Sequence, residues 1–473
     1  MNQKVVPPEA LGVAATLPMP TGTVVSFGHA TKELAPNFLF GGNPARLIWL
    51  SDKGVEALDE LRLGPACSPA GANLARRLTD AGLAHPLPHP VDRTPSVTFV
   101  VPARNCSRHL DDCLRSLDAG KDVVVVDDHS ADAAGIEQVC IAHGARLIRR
   151  SGSGGPAAAR NTGAAAARTD LVAFVDSDCV VPDGWLADLV GHFEDPLVAG
   201  VAPRIVSATS SGLPSLLDMG QRPSRVDPRA AVPYVPTAAL VVRRDALGDG
   251  FDEELRYGED VDLVWRLAAS GWRVRYEPSV LVAHRDPRSC VGRLQKRFRY
   301  GTSVGPLAVR HPGNLSHLSL QPLPAITAIA LLARRPRLAG ASHLAGTLLQ
   351  NRRLKGANVR WPDLVGPTAN GLYRTWLAIG RWCGWFAWPI LAILLKRWRQ
   401  SGWWRRAALL SLIVGPPVTQ VFGEHPPRHV LAALGEEVAY GVGVAVGCVR
   451  VRQLAPLIPS IDWTTLGRRR IMK

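Results

Sequence analysis

The stretch "LVAFVDSDCVVPDGW", residues 171–185, places two carboxylates, Asp176 and Asp178, directly after a run of apolar residues. Five consecutive apolar residues before a turn are typical of a strand that is buried on both faces. Carboxylates at the end of such a strand are costly to bury unless a cation meets them. Two of them could share a hard divalent cation, Mg²⁺ or Mn²⁺, which takes its remaining ligands from phosphates and water. Alternatively, Asp178 or Asp183 could simply cap the following helix.

The sequence on either side of this stretch alternates short apolar runs with helical segments. "SVTFVVP", "DVVVVDD" and "ARLIRR" have the character of strands, and helices are expected near residues 107–118, 132–142, 156–168 and 183–193. Continuous apolar strands separated by helices indicate an α/β domain with a mostly parallel, Rossmann-like sheet covered on both faces. Ligands of such sheets bind beyond the carboxyl ends of the strands. The acidic strand ends "VVVVDDHS" and "VAFVDSD" are therefore predicted to face one ligand cleft.

Three further segments carry polar groups that could belong to this cleft. "SGGPAAARNTGAAAA" places Arg160 and Asn161 near the start of a helix, and both helix N-termini and Arg suit diphosphate oxygens, although a small-residue helix packed on the sheet explains the segment equally well. "YGEDVDLVWRL" begins a helix with Glu259 and Asp260, which is ordinary capping as structure and a candidate general base as chemistry. "VLVAHR" ends a strand on His284, a candidate metal or phosphate ligand, although a lone His is more often structural.

The net charge of +15 is unevenly distributed along the chain. From Arg285 to the end there are 28 Lys or Arg against 6 Asp or Glu, whereas residues 1–284 hold 27 against 34. Such a basic half suits nucleic acid or an anionic membrane surface. Nine of the thirteen tryptophans follow residue 360, mixed with Arg and apolar runs, which favours the membrane and argues against nucleic acid. An Arg-rich, soluble helical subdomain is the alternative.

Three long apolar stretches, near residues 376–395, 407–422 and 429–448, raise the question of membrane crossings. Charges or prolines interrupt each of them, so re-entrant or interfacial helices compete with true spans. The excess of positive charge predicts that this region faces the cytoplasm or lies on the inner leaflet. The eight cysteines form no C-x-x-C pair, and neither a disulfide framework nor a zinc site is indicated. The N-terminus lacks the pattern of a cleaved secretory signal.

Composition divides the chain into three parts: 1–92, 93–310 and 311–473. The first part has a strand followed by a helix capped at Ser51, then a second helix closed by Gly82, and it ends in the Pro-rich "LAHPLPHPVDRTP", which we interpret as a linker. This is the size of a small helical or winged-helix module.

Five segments, in their order along the chain, resemble the family 2 glycosyltransferases with the GT-A fold, over about residues 96–300. They are "SVTFVVPARN", "VVVVDDHSAD", "AARNTGAAAARTDLVAFVDSDCVVPDGWL", "YGEDVDLVWRL" and "VLVAHR". This resemblance implies inverting transfer of a sugar from a nucleotide-sugar donor. It implies that Asp128 contacts the uracil of a UDP-sugar, that Pro102 and Arg104 line the base and ribose pocket, and that Arg160 and Asn161 lie near the donor sugar or its diphosphate.

The same resemblance implies a catalytic centre. Asp178 would hold Mg²⁺ or Mn²⁺, with Asp176 beside it and His284 as a possible further ligand. Asp260 would be the base that deprotonates the acceptor hydroxyl, and Glu259 would orient it.

One segment departs from the family pattern. Processive members carry Q-x-x-R-W after the base, whereas "LQKRFRYG" has Phe298 in place of the Arg when Gln295 is aligned, so transfer of one or a few sugars is expected. The three-part architecture resembles the glycosyltransferases of mycofactocin biosynthesis. That resemblance implies a small modified peptide as acceptor, glucose as the sugar and a short β-linked glucan as product. The N-terminal unit would bind peptide or serve as a structural lid. A lipid or polyprenyl phosphate is the alternative acceptor. The alternative to an enzyme is a non-catalytic basic protein that binds a membrane or nucleic acid.

Overall fold

The computed structural model describes residues 17–42, 45–88, 95–117, 122–209, 213–353, 361–387, 402–421 and 429–463. They form an N-terminal unit, a central sheet with helices on both faces, and a C-terminal group of helices. Residues 89–94 of the predicted Pro-rich linker and part of the apolar stretch 376–395 lie outside the described residues.

In the described part of the N-terminal unit there are five short strands and two helices: β1 (Val24–Phe27), β2 (Lys32–Ala35), β3 (Phe38–Gly41), β4 (Arg46–Trp49), α1 (Asp52–Leu63), α2 (Pro69–Asp80) and β5 (Ala84–Leu87). Strands β2, β3 and β4 form an antiparallel sheet, and β1 pairs with β5. Ile48, Leu58 and Leu78 are fully buried between them and form a core of their own.

Capping explains where these helices begin, as predicted for Ser51. The Ser51 hydroxyl accepts the N–H of Gly54 at 3.3 Å, and a second serine, Ser68, caps α2 in the same way. Strand β5 lies within the segment that we interpreted as linker, and this part of the interpretation is corrected. The segment can form a strand because, among the described strands, it pairs with β1 alone, so that the missing N–H of Pro86 leaves no central ladder incomplete.

The central sheet has nine strands: β6 (Val97–Ala103), β7 (Asp122–Asp127), β8 (Arg146–Arg149), β9 (Leu171–Val175), β10 (Cys179–Val180), β11 (Val198–Ser207), β12 (Ser224–Val226), β13 (Ala239–Arg243) and β14 (Arg273–His284). Their order is β10-β14-β11-β13-β9-β6-β7-β8, and β12 also pairs with β14. The predicted parallel arrangement holds for β8, β7, β6 and β9. The sheet is mixed because β13 runs antiparallel to both β9 and β11.

Seven helices accompany this sheet: α3 (Ser107–Ser116), α4 (Ala133–Ala142), α5 (Gly155–Ala166), α6 (Trp185–Val190), α7 (Glu259–Ala269), α8 (Cys290–Thr302) and α9 (Val304–Arg310). The first four confirm the predicted helical segments. Two apolar cores lie on the two faces of the sheet, one around Phe99 and Trp185 and the other around Phe174 and Trp265. Helix α5 packs so closely on β6 that a Cβ at Gly163 would lie 2.2 Å from a methyl group of Val100.

Within its described residues, the C-terminal part contains five helices and a short pair of parallel strands: β15 (Ser319–Leu320), α10 (Pro322–Leu332), α11 (Pro336–Arg353), α12 (Trp361–Phe386), α13 (Trp403–Val421), α14 (Val430–Arg450) and β16 (Ser460–Ile461). Helix α14 packs along α8, where Arg293 Nε donates to Glu436 Oε1 at 2.6 Å. Of the helices in the described ranges, α14 is the one whose length and composition would allow a membrane crossing.

Candidate active site

Asp176 and Asp178 lie on the turn between β9 and β10, at the carboxyl edge of the parallel strands. The N–H of Asp176 donates to the carbonyl of Ala238 at 2.9 Å, and the carbonyl of Asp176 accepts the N–H of Cys179 at the same distance. These bonds fix the backbone of the turn. The carboxylates stay accessible, with 28% of the Asp176 side chain and 36% of the Asp178 side chain exposed.

Arg160 of α5 is the cation that meets Asp176. Its Nη2 donates to Asp176 Oδ1 at 2.7 Å, and its Nη1 donates to Glu259 Oε1 at 2.8 Å. The guanidinium lies over the ring of Phe251 at 5.5 Å, and 4% of the side chain is exposed. Burial opposes a charged Arg160, yet the two carboxylates raise its pKa. A buried cation therefore compensates the carboxylate that the sequence places at the end of this strand.

Asp260 is the second residue of α7 and is half-buried. Gly258, which precedes the helix, has φ 86°, and a Cβ on it would lie 2.9 Å from the Cβ of Ser303, so a glycine lets the helix start approach α8 and α9. Burial, and then the charge of Glu259, raise the pKa of Asp260 to about 7, while Arg160 acts in the opposite direction. A carboxylate with this pKa is suited to accept a proton near neutral pH.

His284 ends β14 and lies beside Asp178, because β14 pairs with β10. The imidazole is 2% exposed, with Nε2 3.6 Å from Asp178 Oδ2 and Nδ1 3.4 Å from Asp286 Oδ2. The two nitrogens of the ring thus face two different carboxylates, Asp178 and Asp286. The ammonium of Lys296 also reaches this point, with Nζ 3.4 Å from Nε2.

The groups around Asp178 fit a divalent cation. Burial, followed by the neighbouring charge of Asp176, raises the pKa of Asp178, while His284 and Lys296 lower it. A carboxylate oxygen of Asp178 and an imidazole nitrogen of His284 lie side by side here, and both are common metal ligands. Within the described ranges, no three His, Cys, Asp or Glu side chains form a ready metal site, so a cation would complete its shell with water or phosphate.

Asp128 lies at the end of β7 beneath the glycine-rich loop that precedes α5. Its carboxylate is 3% exposed and accepts the Ser153 hydroxyl at 3.0 Å, the Gly154 N–H at 2.9 Å and the Gly155 N–H at 2.8 Å. Burial raises the pKa of Asp128, but these hydrogen bonds outweigh it and the pKa is lowered. Asp128 thus shapes the loop, whose residues 150–154 line an open hollow of ≈ 470 Å³. A contact with uracil stays a prediction.

Pro102, Arg104 and Asn161 lie at the same edge of the sheet in different settings. Pro102 is half-buried in β6, and Arg104 is exposed just beyond it. Asn161 Nδ2 donates to the carbonyl of Phe251 and to Glu253 Oε1, both at 2.9 Å, and its Oδ1 accepts the N–H of Phe251 at 2.8 Å. The amide of Asn161 is therefore used to hold the segment before α7, and its contact with the donor stays a prediction.

The structure also brings residues to the site that the sequence analysis did not select. Besides Lys296, they include Tyr234 and Tyr300, which lie near Asp260. Burial, and then the negative charge of Asp260, raise the pKa of Tyr234 to about 12, and the same causes raise that of Tyr300. Lys296 and Tyr300 belong to "LQKRFRYG", so the segment that departs from the processive pattern was the available signal.

Comparison with known proteins assigns the family. The family model "Glycosyl transferase family 2" matches residues 98–247, which include the site from Pro102 to Asp178. The curated "Pre-mycofactocin glycosyltransferase" of Mycobacterium tuberculosis is 36% identical over 472 residues, covering 94% of this chain and 98% of that protein. The chain is a family 2 glycosyltransferase. The mixed α/β sheet of this glycosyltransferase, with helices on both faces, is GT-A-like.

Other relatives of this glycosyltransferase match shorter regions. The "Succinoglycan biosynthesis protein ExoO" of Rhizobium meliloti is 32% identical over 213 residues, covering 41% of this chain and 61% of that protein. Among solved structures, the mannosyltransferase PcManGT from Pyrobaculum calidifontis, in complex with GDP-Man and Mn²⁺, is 18% identical with a TM-score of 0.43, covering 76% of this chain and 89% of that chain.

Proposed function

We propose that this glycosyltransferase transfers a hexose from a UDP-sugar to a hydroxyl group of a modified peptide redox cofactor, pre-mycofactocin. The proposed acceptor rests on the 36% identity with a pre-mycofactocin glycosyltransferase along nearly the whole of both chains. UDP-glucose is the proposed donor, and a short β-linked glucan is the proposed product, since Phe298 stands where processive members have Arg.

Asp260 acts as the general base in this proposal. It takes the proton of the acceptor hydroxyl as the oxygen attacks the anomeric carbon, on the face opposite the departing nucleotide, so one displacement inverts that carbon. Its pKa of about 7 keeps a useful fraction ionised at neutral pH. Glu259, held by Arg160 at 2.8 Å, fixes the start of α7 and thereby the position of the base.

Asp178 and His284 would hold Mg²⁺ or Mn²⁺, which, when bound, neutralises charge that develops on the departing nucleoside diphosphate. Asp176 supports this turn through its ion pair with Arg160, at 2.7 Å. Pro102 and Arg104 would line the pocket for base and ribose. Asp128 would reach the uracil directly or act on it through the loop that it holds.

Replacing the base tests this mechanism. The variant Asp260→Asn removes the proton acceptor, and we expect transfer to fall by about 10²–10⁴-fold with nucleotide binding retained. Transfer is measured with radiolabelled UDP-glucose and binding by calorimetry. Asp249→Asn, at an exposed position nearby in sequence, is the control and should keep full activity. Undiminished transfer in Asp260→Asn would refute the role of Asp260.

The acceptor is tested separately. Purified protein is incubated with labelled UDP-glucose and either the modified peptide or a membrane lipid extract. Label in the aqueous peptide fraction, with a mass increase of one or a few hexoses, supports the proposal. Label that partitions into organic solvent supports the lipid or polyprenyl-phosphate acceptor instead.

We also propose that the C-terminal helices bind an anionic membrane surface from the cytoplasmic side, with peripheral association as the alternative to insertion. Trp404 Nε1 donates to the carbonyl of Leu331 at 3.3 Å and so joins the start of α13 to the end of α10. Trp403 is 73% exposed there, and Arg334, Arg335 and Arg405 are exposed as well. Exposed Trp and Arg together suit a lipid headgroup layer.

Vesicle flotation of the full chain tests this proposal. Binding to phosphatidylglycerol vesicles but not to phosphatidylcholine vesicles is expected, with a marked loss in Trp403→Ala/Arg405→Gln. Failure to bind either kind of vesicle, together with salt-sensitive DNA binding, would contradict it.

A further inference from the structure

Lys296 extends from α8 toward the acidic turn of the site. Its Nζ lies 3.4 Å from His284 Nε2, and its positive charge lowers the pKa of both Asp178 and Asp286. The ammonium also lies 5.9 Å from the centre of the Tyr300 ring. The side chain is half-buried, so it enters the site from one side and keeps contact with solvent on the other.

Arg160, which pairs with Asp176 of the same turn, is differently constrained. Two ion pairs of 2.7 and 2.8 Å engage it, and 4% of its side chain is exposed. It cannot turn toward a substrate without leaving Asp176 or Glu259 unpaired. Lys296 has no such ion pair within 4.0 Å among the described residues, and its contact with His284 Nε2 is a long hydrogen bond. A flexible four-carbon stem lets its ammonium follow an incoming anion.

We propose that Lys296 is a further catalytic residue, which binds the diphosphate of the donor and stabilises the departing nucleoside diphosphate. This inference rests on the proposed function. The bond between the anomeric carbon and the β-phosphate oxygen breaks, and its electron pair stays on that oxygen. The acceptor oxygen bonds to the carbon and gives its proton to Asp260. Lys296 donates an N–H to the phosphate and loses no proton.

Binding of a divalent cation to His284 would strengthen this role. A cation held by Asp178 and His284 would repel the ammonium of Lys296, and the phosphate oxygens of the donor would then be its favourable partner. The ammonium and the divalent cation would thus act on the same leaving group from different positions.

Nucleotide affinity of the full chain provides the test. Calorimetry with Mn²⁺ compares the nucleoside diphosphate that the wild type binds most tightly, among UDP, GDP, CDP and TDP, with the matching nucleoside. Lys296→Met keeps the stem and removes the charge. We expect it to weaken diphosphate binding by roughly 10- to 100-fold and to leave nucleoside binding unchanged. Lys296→Arg should restore most of the affinity, and Gln295→Met, at the neighbouring exposed position, should match the wild type.

The controls separate this inference from the proposal on which it rests. Unchanged diphosphate affinity in Lys296→Met would overturn the inference, and so would equal losses for diphosphate and nucleoside, which indicate a distorted pocket. Mn²⁺ affinity in the absence of nucleotide, read by electron paramagnetic resonance, should not fall in Lys296→Met. A wild type that binds none of the four diphosphates would contradict the transferase proposal itself, and this inference with it.

Discussion

At the scale of single residues, Arg160 connects the acidic turn to the base. It pairs with Asp176 on one side and with Glu259 on the other, 99 residues further along the chain. Its charge also counters the burial and the repulsion that raise the pKa of Asp260. The ionisation of the base is therefore adjusted by a residue that need not touch the substrate.

Removing the charge of Arg160 should shift the pH dependence of transfer. Asp260 must be ionised to act as a base, so wild-type activity should rise with pH through about 7. In Arg160→Met the pKa of Asp260 rises further, and the acid limb of the kcat/KM profile should move up by about one pH unit or more. Arg160→Lys, which keeps the charge, should shift it less. An acid limb that stays in place in Arg160→Met would contradict this coupling.

Asp178 and Asp183 offer a matched pair for testing the metal. If Asp178 holds the cation, Asp178→Ala should abolish the Mn²⁺ dependence of nucleotide binding, which calorimetry with Mn²⁺ or EDTA measures. Asp183 lies five residues on, is exposed, and was the alternative helix cap, so Asp183→Ala should bind as the wild type does. Intact Mn²⁺-dependent nucleotide binding in Asp178→Ala would show that other residues hold the metal.

At the scale of elements, α8 joins the site to the C-terminal helices. One part of α8 carries Lys296 toward His284, and another packs on α14 through glycines. A Cβ at Gly443 would lie 2.1 Å from the carbonyl of Phe298, and one at Gly447 would lie 2.3 Å from the carbonyl of Thr302. The C-terminal part thus supports a helix that the active site uses.

A glycine substitution in α14 should therefore destabilise the protein. Ala is favoured over Gly in a helix by up to about 1 kcal/mol, so a Gly→Ala substitution without steric conflict should stabilise the protein. In Gly443→Ala the methyl group would meet Phe298 and force α14 from α8, and we expect a clear fall in the midpoint of thermal unfolding. Gly384→Ala in α12 has no atom within 4 Å of the new Cβ and should match or exceed the wild type. Equal midpoints for the two variants would argue against close packing.

At the scale of the whole molecule, buried ion pairs join the N-terminal unit to the central sheet. Arg76 binds both oxygens of Asp195 at 2.7 Å, with 4% and 6% of the two side chains exposed. Asp80 pairs with Arg273 at 2.8 Å. Burial raises the pKa values of Asp80 and Asp195, but the arginines outweigh it and lower both. This stabilisation should be complete above the ordinary Asp range and should be lost as the pH falls through the lowered values.

Removing one partner of such a pair should lower the free energy of unfolding much more than removing both partners. In Arg76→Met the carboxylate of Asp195 stays buried without its cation, and we expect the free energy of unfolding to fall by about 3–5 kcal/mol in urea titrations. The double variant Arg76→Met/Asp195→Leu should recover a large part of this lost free energy of unfolding. Arg62→Met, which breaks exposed pairs with Glu33 and Asp59, should have little effect. A small loss in Arg76→Met would show that the pair does not hold the units together.

The sequence by itself determined the parts of this protein that depend on neighbouring residues. Apolar runs predicted the strands, Ser51 predicted the start of α1, and the acidic strand ends predicted the edge of the sheet that carries the site. The ordered motifs were enough for the family. Local patterns succeed in these cases because burial alternation, capping and turn chemistry act over a few residues.

Tertiary structure alone decided which charges meet. Arg160 and Asn161, adjacent in sequence, turn to different partners, and Asp128 accepts hydrogen bonds from the loop before α5. Lys296 of α8 reaches His284 because the chain turns back within the 12 residues that separate them. The antiparallel β13 and the strand β5 likewise depend on partners far along the chain. Coulomb energy and desolvation depend on distance in space and on burial, and neither is set by the spacing of residues in the sequence.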